Sequence, residues 1–223
     1  HGGIFWPRIK IANPDKTEFG NTDLITVPPS GHIMGAIARQ ASKPGGVYQA
    51  PAGVELGLLT GALALETDEV LDELKRDLIY VPALINPIVS KSNVKPFIDG
   101  VFTLKTTGQF PTMGERLGAI FIEQSIKEDM EFARHKNNTP ALRAEVNRRI
   151  TEFLLGQMRL NAFASTVPDD AFFVDTSDAL NLPSVQKALQ LKVRVGLAFA
   201  SPAEFIILEF VQDTRALDAE LAA

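Results

Sequence analysis

Hydrophobic positions in the second half of the chain recur at helical spacing. Ala119, Ile122, Ile126, Met130 and Ala133 stand three and four residues apart, and Leu117 and Phe121 widen the stripe. Residues so spaced share one face, which predicts an amphipathic helix from Gly114 to about Arg134. The polar run His135-Lys136-Asn137-Asn138 then leads into Thr139-Pro140. Threonine as N-cap followed by proline at the first helical position, where a missing N–H costs little, marks a second helix start. That helix runs to about Leu160 with Leu142, Val146, Ile150, Phe153 and Leu154 on one face. So short a connection makes the pair an antiparallel helical hairpin.

The pattern then changes to period two. Ala171 to Asp175 reads as a brief strand, and Pro183 to Leu189 as a short helix. Leu191, Val193, Val195, Leu197 and Phe199 alternate with Lys192, Arg194, Gly196, Ala198 and Ala200, the signature of a half-buried strand. Ser201-Pro202-Ala203 turns the chain into Glu204 to Gln212, predicting a hairpin.

The first half is punctuated by turn residues: ten of the 14 prolines and twelve of the 16 glycines lie at or before Pro111. Short elements are expected there. Ile4 to Ile11 is extended, with Pro7 assigning it to a sheet edge or an arm. Gly31 to Gln40 is a short helix with Ser30 as its N-cap, and Ala41 to Gly53 is irregular. The acidic-to-basic run after Thr67 suits a helix dipole, and Ala83 to Val89 and Ile98 to Leu104 read as strands. The fold class is α/β, with the helical pair packed on a mixed sheet built from the last three strands and some first-half strands. Residues 41 to 66 wrap that core.

Composition narrows the function. The 223 residues suit one or two domains, and 45% hydrophobic content supplies a core. A net charge of −5 argues against a nucleic-acid binder, which needs clustered Lys and Arg to neutralise phosphates. There is no cysteine, so disulfides, thiolate metal sites and cysteine nucleophiles are excluded together. Fourteen of the 17 aromatics are Phe, which brings buried area without a polar handle. No uncharged run reaches the roughly 18 apolar residues of a membrane-spanning helix. His1 in place of an initiator methionine suggests a fragment or a processed product.

Catalytic signatures are weak. Gly45-Gly46 lacks a following Lys-Ser or Lys-Thr, and Gly31-xxx-Gly35 is not a dinucleotide fingerprint. His1, His32 and His135 are scattered, and Asp169, Asp170 and Asp175 lack calcium-loop spacing. Ser30-Gly31-His32 lacks the nucleophile-elbow pattern. Arg148 and Arg149 sit beside Glu145 and Glu152, which cancel a local anion-attracting field. No cofactor, metal or catalytic residue is assigned. The two competing classes are an enzyme assembled from distant residues such as Glu123, Asp175 and His135, and a non-contractile scaffold or adaptor.

Several segments, in order, resemble the C-terminal part of contractile tail sheath proteins of phages and related injection particles. Phe5-Trp6-Pro7-Arg8-Ile9-Lys10 is similar to their aromatic-aromatic-Pro entry into a strand. The run from Val27 to Arg39 (VPPSGHIMGAIAR) resembles their "VPPSG … GxxAR" segment, and Gly46 to Gly53 (GVYQAPAG) their "GVWKAPAG". Leu84 to Ile88 is similar to "GVNPI", Phe121 to Ile126 to "IEQSI", and Phe153-Leu154 with Asn161-Ala162-Phe163 to "FL…GAL". Ala171 to Val174 matches "AFFV", and Pro202 to Ile207 is close to "PAEFV". Val101 to Leu104 and Met113 to Arg116 depart from the family's "WGARTL" and "NVRR", leaving Arg116 alone to stand for a family arginine.

The resemblance implies a structural, non-enzymatic subunit that polymerises as stacked rings around a tail tube and contracts to drive the tube through a target envelope. It implies homo-oligomers, contacts with tube, baseplate and tail-terminator proteins, no direct contact with nucleic acid, and no membrane insertion. The location it implies is a virion tail assembled in a bacterial host's cytoplasm. Residues 1–223 are then the inner, C-terminal domain, with 1–66 as its loop-rich part and 67–223 as the α/β core. In that family, terminal arms add strands to a neighbour's sheet, a form of β-augmentation. The run Glu204 to Val211 is apolar on both faces and would be an aggregation hazard as a free edge. The expected inter-subunit strand residues are therefore Phe205, Ile206, Ile207, Leu208, Phe210 and Val211, with Phe5 and Ile9 at the other end.

Overall fold

A computed structural model describes residues 2–14, 23–67, 75–91, 94–105 and 110–202. The order is β1 (Ile4–Trp6), β2 (Ile9–Ala12), β3 (Leu24–Val27), α1 (Ser30–Ala41), a 3₁₀ turn at Gly46–Tyr48, α2 (Gly53–Leu56) and β4 (Ala62–Leu65). A π-helical turn at Arg76–Tyr80 precedes β5 (Ile85–Lys91) and β6 (Val94–Ile98). Then come α3 (Met113–Asp129), α4 (Pro140–Met158), α5 (Pro168–Ala171), β7 (Phe172–Asp175), α6 (Pro183–Lys187) and β8 (Arg194–Leu197).

The class is α/β, but among the described residues the strands divide into three small sheets rather than one. β1-β5-β6 is mixed, β3-β2-β4 is antiparallel, and β7 pairs with β8. The break falls where proline predicted an edge. Pro7 lies between β1 and β2, so Ile4 to Ile11 is two strands in two sheets, joined through a cis Trp6-Pro7 bond. The expected strand from Ile98 to Leu104 lies earlier, at Val94–Ile98, paired with β5. Of the expected stretch, Phe102 makes a single bridge to Thr112.

The helical pair forms as its sequence predicts. The Thr112 hydroxyl accepts from the Glu115 N–H while the Glu115 carboxylate accepts from the Thr112 N–H, a capping box at the start of α3. Thr139 caps α4 through the Leu142 N–H. Ser30 does not cap α1; it is already the first helical residue, and the Pro29 carbonyl accepts the first turn's Ile33 N–H. The long apolar strand expected from Leu191 is ordered as β only over Arg194–Leu197, with Phe199 bridging to Phe163.

Two cores result. Ile122 of α3, Val146, Ile150 and Leu154 of α4, Tyr48, Phe163 and Phe172 fill one. Ile9, Ile33, Leu59, Ile88 and Ile98 fill the other, between the first-half sheets and α1. No helix among the described residues is long and apolar enough to cross a membrane.

Candidate functional site

Parts of the segments singled out by sequence meet at a junction between the two cores, where Tyr48, Ala52, Asn161 and Pro202 line one cleft. Gly46 to Gly53 lies against the start of α3, where two glycines leave room for it. A Cβ on Gly114 would stand 2.8 Å from the Tyr48 carbonyl oxygen, and one on Gly118 would stand 2.7 Å from the Tyr48 ring. Tyr48 is thereby held in the core, its hydroxyl donating to Gln157 Oε1 of α4 at 2.7 Å. Burial pushes its phenol well above the ordinary value.

Arg39, at the end of α1, fixes the next stretch. Its guanidinium donates to the Leu58 carbonyl at 2.6 Å and to the Thr60 hydroxyl at 2.9 Å. A cation in the last helical turn also complements the helix dipole. Asn86 performs the same office for β1. It is fully buried, donates to the carbonyls of Ile4 and Phe102, and accepts the Phe102 N–H at 2.7 Å. Gly100 packs so tightly on it that a Cβ there would lie 2.8 Å from Asn86 Oδ1.

At the centre of this junction is an open cleft of about 470 Å³, walled by Tyr48, Ala52, Arg76, Asp99, Ser201 and Pro202 among others. Arg76 pairs with Asp99 and Asp77 across its rim. The Ser201 hydroxyl donates to Glu115 Oε1 at 2.6 Å, tying the cleft's far wall to the capping box. Beyond Pro202 the chain continues to Phe205, Ile206, Ile207, Leu208, Phe210 and Val211, which lie outside the described residues. Among the described residues Phe5 sits in β1, at the edge of its sheet beside β5, and Ile9 in β2, flanked on both sides by strands of its own chain.

The residues of the enzymatic alternative are not brought together at this cleft. Glu123 is exposed on α3 and lies 3.9 Å from Arg116. His135 adopts a left-handed conformation in the turn between the long helices. Asp175 ends β7, where the Ser177 backbone N–H holds its carboxyl below the usual range, so that it is a poor proton donor. The sequence flagged Arg116 as a lone family arginine; its Nε is buried without a hydrogen-bond partner among the described residues. Arg39 and Asn86 lie within the quoted motif segments, but their hydrogen-bond roles and the Glu115–Ser201 bond were not predicted, because polar contacts between distant segments leave no periodic trace.

No protein-family model matches the chain, and no curated protein sequence does. Solved structures do match. A chain of the contracted-state sheath complex of an extracellular contractile injection system, PVC, aligns with a TM-score of 0.79 and 28% identity over 96% of this chain. A chain of the sixfold-symmetrised anti-feeding prophage baseplate aligns at 0.80 and 23% identity over 95%. The contracted helical sheath of the anti-feeding prophage gives 0.78 and 24% over 95%. The alignments cover 54–56% of those chains, so this chain spans just over half their length. The chain therefore has the fold of the sheath proteins of contractile injection systems.

Proposed function

We propose that the chain is the inner portion of a contractile sheath subunit, structural rather than catalytic. It polymerises with other copies as stacked rings around a tail tube and shortens to drive that tube through a target envelope. The observation that carries this reading is the match to a contracted sheath complex over 96% of the chain at 28% identity. Baseplate contact is supported by the match to an anti-feeding prophage baseplate chain. Contacts with tube and tail-terminator proteins, residence in a virion or injection particle, and assembly in a host bacterial cytoplasm follow from the same reading.

Linkage between copies is assigned to strands added at the chain's two ends. Phe205 to Val211, with apolar residues on both faces, is the donated strand. Main-chain hydrogen bonds hold such a strand while the rigid domains rotate, so the link survives contraction. Among the described residues β1, with Phe5, offers an edge near the other end; β2, with Ile9, has both sides filled by its own chain. Ile9 is therefore assigned to the core and not to a link.

Electron microscopy of the intact subunit tests the reading. Striated tubes are expected; dispersed monomers, or single rings that never stack, would overturn it. Replacing Ile206 and Leu208 with aspartate is expected to abolish tubes while leaving the domain folded by circular dichroism. Normal tubes from that variant would remove the donated strand.

A further inference from the structure

Residues 198–202 form a strap that carries the chain from the β7–β8 pair to the start of α3. Three main-chain bonds hold it. The Ala198 N–H donates to the Ala171 carbonyl and the Ala198 carbonyl accepts the Ala164 N–H, both at 2.9 Å. The third, from the Ala200 N–H to the Ala162 carbonyl, is longer at 3.3 Å. Phe199 is set among aromatic rings, with centroids 5.7 Å from Phe110, 5.8 Å from Phe163 and 6.3 Å from Tyr48. Gly118 of α3 makes room for it, since a Cβ there would stand 3.1 Å from the Phe199 ring.

Among the described residues, the last tie before the chain continues past Pro202 is a side chain. Ser201, itself exposed, donates its hydroxyl to Glu115 Oε1 at 2.6 Å, and Glu115 is only 7% exposed. The same carboxylate accepts the Thr112 N–H through Oε2 at 3.4 Å, which fixes it in the capping box of α3. A hydrogen bond to a carboxylate is about twice as strong as one between neutral groups.

This placement decides how the strap would fail. A segment pulled away from its sheet opens one bond at a time, starting from the pulled end. The first main-chain bond to open here is the longest of the three, at Ala200. The Ser201–Glu115 bond lies outside it, so opening at Ala200 requires that bond to break first.

We propose that Ser201 and Glu115 form a latch that keeps the strap from peeling when the chain beyond it is pulled, with Phe199 as the plug behind. The inference rests on the reading that residues 205–211 are donated to another copy. The pull of that copy enters the domain at Ser201 and passes through Glu115 into α3, the long helix of the core. Both are positioning residues, since they hold the root of the linking strand.

Ser201→Ala removes the hydroxyl and leaves the main chain and the Phe199 rings in place. Amide exchange in the intact subunit, followed by mass spectrometry on peptides that contain Ala200, is expected to speed about tenfold, while peptides from α4 keep the wild-type rate. Ser201→Thr, which retains the hydroxyl, should restore the wild-type rate. Tubes assembled from Ser201→Ala subunits and then triggered should break between copies several-fold more often than wild-type tubes in electron micrographs. An unchanged exchange rate at Ala200 would refute the latch. Faster exchange together with tubes that shorten unbroken would show that the pull does not pass through Ser201, which overturns the proposal and leaves the sheath reading standing. Wild-type subunits that never form tubes would overturn the sheath reading itself, whatever the exchange shows.

Discussion

Replacing Asn86 with alanine removes the side chain that joins β1, β5 and the segment after β6. The structure allows its cost to be worked out. Three hydrogen bonds disappear, to the Ile4 carbonyl at 3.2 Å, to the Phe102 carbonyl at 2.8 Å and from the Phe102 N–H at 2.7 Å. Each is worth about 1 kcal/mol net, and Asn86 is fully buried, so water cannot take over the orphaned groups without rearrangement. The expected loss is about 3–4 kcal/mol, or about 6–15 °C in Tm for a chain of this size. Urea unfolding followed by circular dichroism measures it, with an unchanged m-value showing that stability alone has moved. Asn147→Ala, which loses one 3.0 Å bond to the Val174 carbonyl and long contacts to the Thr176 and Thr151 hydroxyls, is the comparison and should cost about 1 kcal/mol. A loss below about 1 kcal/mol for Asn86→Ala would refute the view that this residue anchors β1.

Three further outcomes are expected. Thr112→Ala breaks the capping box of α3 and should cost about 1 kcal/mol in the same urea assay, with no effect if the helix start is held by Ser201–Glu115 alone. Gly118→Ala presses a methyl into the Tyr48 and Phe199 rings and should destabilise by about 1–3 kcal/mol; a neutral result would mean that the Tyr48 segment is not seated on α3. In a Tyr80→Phe background, ultraviolet titration should show the Tyr48 phenol ionising well above the usual tyrosine range, and a midpoint near about 10 would contradict its burial. The sign follows from linkage: above about pH 10 the unfolded chain releases this proton and the folded chain keeps it, so stability falls as pH rises through that point.

What the sequence disclosed was local. The long helices were legible because their apolar residues keep a 3.6 period and Thr139 caps the second, and that period places Val146, Ile150 and Leu154 in the core; the Thr112 capping box of the first emerged from the structure. The division of strands among three sheets was not legible, since β1 pairs with β5 across about 80 residues and a period-two pattern carries no record of its partner. Val94–Ile98 was overlooked because Lys95 and Pro96 interrupt its alternation, although tertiary pairing with β5 holds it as a strand. The motif segments carried a family resemblance but no record of where in the fold they would meet. The hydrogen bonds that fix their junction, through Arg39, Asn86 and Ser201, required the structure.

The central claim is that this domain belongs to a polymer with two lengths. Electron microscopy of intact particles before and after triggering measures it, with the domain located by antibody labelling or in the reconstructed density. The account predicts labelled tubes in an extended and a shorter, wider form built from the same number of subunits. A single tube length under every triggering condition, with the domain present throughout, would contradict it.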